Sequence, residues 1–385
     1  MLYLNSILLW FGAAISIAEI FTGTLFAPLG LKLGIIIIII GHLIGGLLMY
    51  LVGLISTKTK LSAMESTALS FGKNGSYFFA LLNGLQLIGW TAVMIYSAAN
   101  ALYILTDNIS PIYWSIIIAV LICIWLLIKF KELKIIPIII MTLLFILSIL
   151  ASKKIFSPTT YTVPSSTLNI FTALELSIAM PLSWLPLIGD YTKEGTNDNK
   201  IPLFSSIVYF IASSWMYIVG LACALFFSES DFTQILFKSN MGTVGLLIII
   251  LSTVTTTFLD AFSCGVSFSI FKISEKKISI LCVILGLLIS LFWNQGSLES
   301  FLYLISSIFI PMVAIEITDF FILKKDKSST KLNFANIIIF IIGFILYRIF
   351  LAYNFPLGIS IPVLLLTSLL VLIYNFLIKK GKIND

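Results

Sequence analysis

The feature that most constrains this chain is the recurrence of apolar runs along it. A helix needs ~20 predominantly apolar residues to cross about 30 Å of hydrocarbon. Such runs lie near 5–28, 33–56, 77–105, 111–129, 135–152, 168–190, 202–228, 242–270, 279–293, 299–323, 333–352 and 358–378. The ninth is short, and no polar stretch between runs is long enough for a second, soluble domain. Of 385 residues, 59% are hydrophobic and 10% charged, whereas a soluble domain carries roughly 25% charged residues to keep its surface wet. Lipid must therefore solvate most of the chain. The expectation is an all-α, polytopic membrane protein of about twelve transmembrane helices, forming a single domain over 1–385.

The net charge of +6 does not point to nucleic acid, because the basic residues sit in short loops rather than on a stripe or tail. Placing the N-terminus in the cytoplasm puts Lys58, Lys60, Lys73, Lys129, Lys131, Lys134, Lys193, Lys200, Lys272, Lys276, Lys277, Lys324, Lys325, Lys327, Lys331, Lys379, Lys380 and Lys382 inside. Only Lys32, Lys153, Lys154 and Lys238 fall outside, and Arg348 lies within a span, near enough to its end to snorkel. Cytoplasmic loops carry such an excess of lysine, so both termini are expected inside a cell membrane and the number of spans is even. The first run is not a signal peptide, since it lacks a basic leader and holds Glu19 near its middle. Cys123, Cys223, Cys264 and Cys282 are scattered without C-x-x-C spacing and read as small packing residues.

Two spans are expected to be broken. Span one carries Ser16, Glu19, Thr22 and Gly23 through its middle; span six carries Pro181 and Pro186 around Trp184 and ends in Gly189-Asp190. They occupy matching positions in two five-span halves, 1–152 and 168–323, with two accessory helices over 333–378. Interrupted helices at matching positions of inverted repeats mark a transporter site near the bilayer midplane. The plainer alternative is that Pro and Gly are common in membrane helices.

Ionisable groups inside a bilayer are costly, which makes each a functional candidate. Glu19 and Asp260 are the deepest; Glu175, Glu316 and Asp319 also lie in spans, and Asp190 closes span six. Carboxylates at that depth could hold an amine-bearing planar solute, carry a proton, or bond a neighbouring helix. Glu175 and Asp190, near span ends, read as structural or gating. Trp90 and Trp184 lie away from the interfacial belt where membrane tryptophans collect, so each must satisfy its N–H or line a cavity. Gln86, Trp90 and Met94 share one face of span three. On span eight, Ser252, Thr255 and Thr256 follow i, i+3, i+4 spacing, and three aligned hydroxyls plus carbonyls from a broken helix can ligate a hard cation. Hydroxyls bonding back to their own helix are the competing reading. His42, the only histidine, sits within Gly41-His42-Leu43-Ile44-Gly45, a G-x-x-x-G that favours close helix packing, so it is expected to bond between helices. No H-E-x-x-H, G-x-S-x-G or phosphate-binding loop is present, which argues against an enzyme.

Gly89-Trp90, the stretch from Trp184 to Gly189-Asp190-Tyr191-Thr192, the hydroxyl-rich span eight and Pro311 with Asp319-Phe320-Phe321 together resemble the nucleobase–cation symporter-1 family. The run FGAAISIAEIFTGTLFAPLGL and the segment TTTFLDAFS are similar to its hydroxymethylpyrimidine permeases. The resemblance implies a LeuT-like fold of two inverted five-helix repeats plus two flanking helices. It also implies cation-coupled import of a planar heterocycle, with Na+ or H+ as the coupling ion and no other cofactor. Trp90 and Trp184 would stack on the ring, and Ser16 would touch it. Sodium ligands would fall on the carbonyls of Gly12 and Ile15 with Ser252, Thr255 and Thr256. Met94 and Ala261 stand where some members carry a glutamine and an asparagine, so polar recognition would pass to Glu19, Asp260 and Ser263, and Ala261 would leave room for ring substituents. A cytosine or purine permease, or an amino-acid transporter of the same fold, are the alternatives.

Overall fold

The computed structural model describes residues 2–106, 109–128, 136–157, 160–195, 199–227, 242–353, 355 and 358–381. Lys129, Lys131, Lys134, Lys238 and Lys382, counted in the charge pattern, lie outside these residues, as do the expected span edges at 129, 135 and 228.

The helices follow the expected runs in order. Span one is broken into α1 (Leu2–Ala14) and α2 (Ile17–Thr24), which meet at 47°. Then come α3 (Gly30–Thr59), a short α4 (Ala63–Ser66), α5 (Ala68–Thr106), α6 (Pro111–Leu127) and α7 (Ile136–Ile155). Span six is broken into α8 (Ile170–Leu182) and α9 (Leu185–Thr192). Next are α10 (Lys200–Phe227), α11 (Gly242–Ser269), α12 (Glu275–Ser290) and α13 (Leu298–Ile317), which runs into a π-helical turn over Thr318–Leu323. The described chain closes with α14 (Phe334–Ala352) and α15 (Ser360–Gly381). Among the described residues, 8 of these segments are long and apolar enough to cross a membrane, or 9 with the bent first span. The others are α6, apolar but only 17 residues long, α7, and the 16-residue α12 foreseen as short. Span three starts earlier than the expected 77, because α5 continues back through a kink at Gly72, whose φ of 76° is open to glycine.

The spans pack as two groups. In the first, α1, α2, α3, α8, α9 and α10 lie against one another; in the second, α5, α6, α11 and α12 do. Between α2 and α10 the backbones nearly touch at Gly23 and Gly220, where a Cβ on either would collide with the opposite main chain. Gly41 and Gly45 bring α3 equally close to Ser177 and Pro181 of α8, which is the close packing expected from the G-x-x-x-G. Helices α14 and α15 flank the body on α13 and are the least buried of the eight long spans, at 28% and 17% of their apolar windows against 78% for span six.

Candidate substrate and ion site

Both breaks expose main-chain groups that ordinary helices would hide. At the first, Ser16 is extended (φ −138°, ψ 155°) and its N–H turns to Ala14 O (3.1 Å). The carbonyl of Gly12 thereby loses its helical partner, and Thr256 Oγ1 on α11 donates to it at 3.2 Å. Ser16 Oγ then caps α2 by accepting from the Glu19 N–H (3.3 Å) in place of Ile15 O. At the second break, Pro186 lacks an N–H and α8 stops at Leu182. Span three reaches into this break: Gln86 Nε2 donates to Ser183 O (2.8 Å) and Asn83 Nδ2 to Pro186 O (3.1 Å). Freed backbone at membrane depth is tolerated where neighbouring helices satisfy it or a cavity receives it.

A cavity lies between the two helix groups, beside both breaks. The first group contributes Ala13, Ser16, Ala18, Glu19, Met180, Ser183 and Trp184; the second contributes Trp90, Met94, Thr256 and Asp260. Of the residues expected at the substrate, Ser16, Glu19, Trp90, Met94, Trp184 and Asp260 therefore line one space, although they come from four separate spans.

The two walls differ in how their polar atoms are used. Trp184 Nε1 donates to Tyr209 Oη (2.8 Å), which donates to Glu19 Oε1 (2.7 Å). Ser213 Oγ donates to Glu19 Oε2 (2.7 Å) and lies 2.7 Å from His42 Nε2. His42 Nδ1 lies 2.8 Å from Ser177 Oγ and 3.1 Å from Ile38 O. On the opposite wall, the buried Trp90 Nε1 has no hydrogen-bond partner among the described residues. No hydrogen bond to the Asp260 carboxylate is found among the described residues. The Trp90 ring is held from behind by Phe301, edge-on at 5.4 Å, and Trp184 by Trp10, also edge-on at 5.4 Å.

Other expected positions fall elsewhere. Gln86 lies off the cavity lining and spends its amide on the break in span six. Ala261 is fully buried and lies off the cavity lining. Ser263 donates to Tyr191 Oη (3.1 Å), and Tyr191 donates to Leu259 O, away from the lining. Ser252 and Thr255 turn their hydroxyls onto their own helix, to Ile249 O (3.3 Å), Leu251 O (2.8 Å) and Ser252 O (3.0 Å). Of the three aligned hydroxyls, Thr256 is the one that bonds the broken span. Asp190 accepts from the Ala63 N–H (3.0 Å), and Glu175 caps α15, accepting from the Ser360 N–H (2.9 Å) and Tyr347 Oη (2.6 Å). Sequence reasoning passed over Tyr209 and Ser213. Their i, i+4 spacing on one face of α10 was the available signal.

A multi-pass helical membrane protein with two broken spans facing one shared cavity is a transporter architecture. Residues 2–337 match the family of permeases for cytosine/purines, uracil, thiamine and allantoin, and the chain belongs to that family. The cytosine permease of Escherichia coli strain K12 is 23% identical over 306 residues, covering 75% of this chain and 70% of that protein. Among solved structures, Mhp1, a nucleobase-cation-symport-1 family transporter in a closed conformation with bromovinylhydantoin bound, superposes with a TM-score of 0.82 at 16% identity. That match spans 98% of this chain and 92% of Mhp1. The inward-facing conformation of Mhp1 gives 0.78 at 14% identity, over 98% and 90% of the two chains. A Na+-coupled sialic acid symporter gives 0.65 at 16% identity, over 94% and 88%. The LeuT-like helical fold expected from the sequence is thus the fold observed, and the protein is a permease rather than an enzyme.

Proposed function

We propose that this permease imports an amino-bearing pyrimidine, hydroxymethylpyrimidine above all, by cation-coupled alternating access across the cell membrane with both termini in the cytoplasm. The observation that carries the reading is the Asp260 carboxylate, which lines the cavity with no protein donor on it. An ionised carboxylate only accepts hydrogen bonds, so it selects a ring that presents N–H groups, as an exocyclic amine does. Trp90 supplies a face from one group and Trp184 a face from the other. In this reading the halves 1–152 and 168–323 are the inverted repeats that rock against each other. Gly12 O and Thr256, with Ile15 O, form the sodium seat, while Ser252 and Thr255 join only by rotating off their own carbonyls.

Cytosine is the second reading, favoured by the cytosine permeases among the relatives; it too has an exocyclic amine for Asp260. A thermal-shift screen of purified protein separates the two, since a ligand that binds only the folded state raises the melting temperature by mass action. Hydroxymethylpyrimidine is expected to stabilise the protein more than cytosine at equal concentration, with uracil, which lacks the amine, least effective. Stabilisation by uracil or by an amino acid above both would overturn the assignment to Asp260.

A further inference from the structure

The hydrogen bonds around Ser213 do not balance for an ionised glutamate beside a neutral imidazole protonated on Nδ1. Ile38 O can only accept, and it lies 3.1 Å from His42 Nδ1, so the tautomer that hydrogen-bonds this carbonyl carries its proton on Nδ1. Ser177, whose hydroxyl donates to the same carbonyl at 2.8 Å, leaves its oxygen for that N–H. At the other end the Trp184 N–H can only donate, so the Tyr209 oxygen accepts it and gives its own proton to Glu19 Oε1. What remains is a chain of three atoms, Glu19 Oε2, Ser213 Oγ and His42 Nε2, with two gaps of 2.7 Å each. Ser213 owns one proton, which closes one gap. Facing lone pairs across the second would repel at that distance, so a second proton must fill it.

We propose that Glu19 and His42 hold one proton in common through Ser213, forming a proton site inside the membrane and in the wall of the substrate cavity. In one arrangement His42 is an imidazolium and Glu19 a carboxylate. In the other, the Nε2 proton has moved to Ser213 Oγ and the Ser213 proton to Glu19 Oε2, leaving a neutral imidazole and a carboxylic acid. Atoms balance and the pair is net neutral in both, which is how a buried glutamate and histidine avoid an uncompensated charge. The cavity therefore meets either a charged carboxylate or a neutral acid at Glu19 without any change in total charge.

All its parts, on α2, α3, α8 and α10, belong to the first helix group, so movement of the second group leaves the chain of bonds whole. The titratable groups facing it are Tyr209 and Tyr217 of α10, the latter with its ring 4.5 Å from that of His42, and Asp260 across the cavity. Tyr191 of α9 packs on Trp10, Glu175 of α8 is turned to Tyr347 and Ser360, and the lysines of α3 lie toward its two ends. The link to transport rests on the reading given above; the proton site itself does not.

His42 is the only histidine, so protein labelled with 15N-histidine and reconstituted in lipid gives one pair of ring-nitrogen signals. In wild type, Nε2 is expected to bear a proton or to average between bonded and bare, becoming a bare acceptor in a single step as pH rises. In Glu19→Gln the amide donates to Ser213, which passes its proton to Nε2, so the ring stays neutral with a bare Nε2 at every pH. Ser213→Ala removes the bridge, and the wild-type step must move or vanish. A wild-type ring indistinguishable from Glu19→Gln over the whole folded pH range overturns the shared proton, as does a bare Nδ1 or a step unchanged in Ser213→Ala. The measurement needs no ligand. Failure of hydroxymethylpyrimidine and cytosine to bind therefore counts against the substrate reading alone, and failure of the 15N result against the proton site alone.

Discussion

On the wall built by α2, α8, α9 and α10, the Glu19 carboxylate and the Trp184 indole have their hydrogen bonds filled by Tyr209 and Ser213. On the facing wall of α5 and α11, the Trp90 N–H has no partner and Asp260 accepts from no described protein donor. Both walls hold one carboxylate and one tryptophan, so composition does not explain the contrast. A buried polar group left unpaired costs about 1–3 kcal/mol, and a fold tolerates that cost where something else supplies the partner. In the proposed reading the open wall is where a ligand's own donors and acceptors complete the count, while the filled wall holds its shape without them.

That comparison can be broken most directly at Asp260. If its partner is the substrate, Asp260→Asn should weaken binding roughly 10- to 150-fold, since hydrogen bonds to a charged group are worth about 1.5–3 kcal/mol and 1.4 kcal/mol is tenfold. The melting temperature of the ligand-free protein should not fall, because no protein donor is orphaned. Lower stability with unchanged affinity would move Asp260 to the scaffold side.

Trp90 comes next. Stacking of a base on an aromatic ring is worth about 1–3 kcal/mol, so Trp90→Ala should cost roughly 5- to 150-fold in affinity, measured by titration calorimetry on folded protein. Trp90→Phe keeps a face and loses only the N–H, and should recover part of that loss. Equal affinity for wild type and alanine would take Trp90 out of the site.

Tyr209→Phe probes the filled wall and should give the reverse pattern. It orphans the Trp184 N–H and Glu19 Oε1 together, so ligand-free stability should drop by about 1–3 kcal/mol while affinity falls only several-fold. A thermal melt and a binding isotherm on one preparation decide it; a large affinity loss at full stability would put Tyr209 in contact with substrate.

The smallest effect at saturating ion is expected from Thr256→Val, which keeps side-chain shape and removes the hydroxyl that reaches Gly12. Half-maximal uptake should require more sodium, with substrate affinity falling by the same factor only when sodium is limiting. Wild-type uptake that ignores sodium and follows an imposed pH gradient would discard the sodium seat and leave coupling to the proton.

The sequence by itself determined the solvent, the number and order of spans, and the places where spans one and six come apart. Those features depend on local chemistry: apolar length sets a span, a proline at 186 removes a donor wherever it is placed, and Gly41 and Gly45 permit close approach on any partner helix. It also marked Glu19, Trp90, Trp184 and Asp260, because charge and indole N–H groups at depth are costly enough to stand out. It could not tell satisfied from unsatisfied. Glu19 and Asp260 look alike in the chain, and only the packing of α10 against α2, set by Gly23 and Gly220 on spans six apart, gives one of them two donors and the other none. For the same reason Ser252, Thr255 and Thr256 share a face by spacing, yet a hydroxyl turns to its own carbonyl unless a neighbour offers a better acceptor. The break in span one, reached across the helix interface, made that offer to Thr256, because hydrogen-bond partners distant in sequence exist only once the helices have docked.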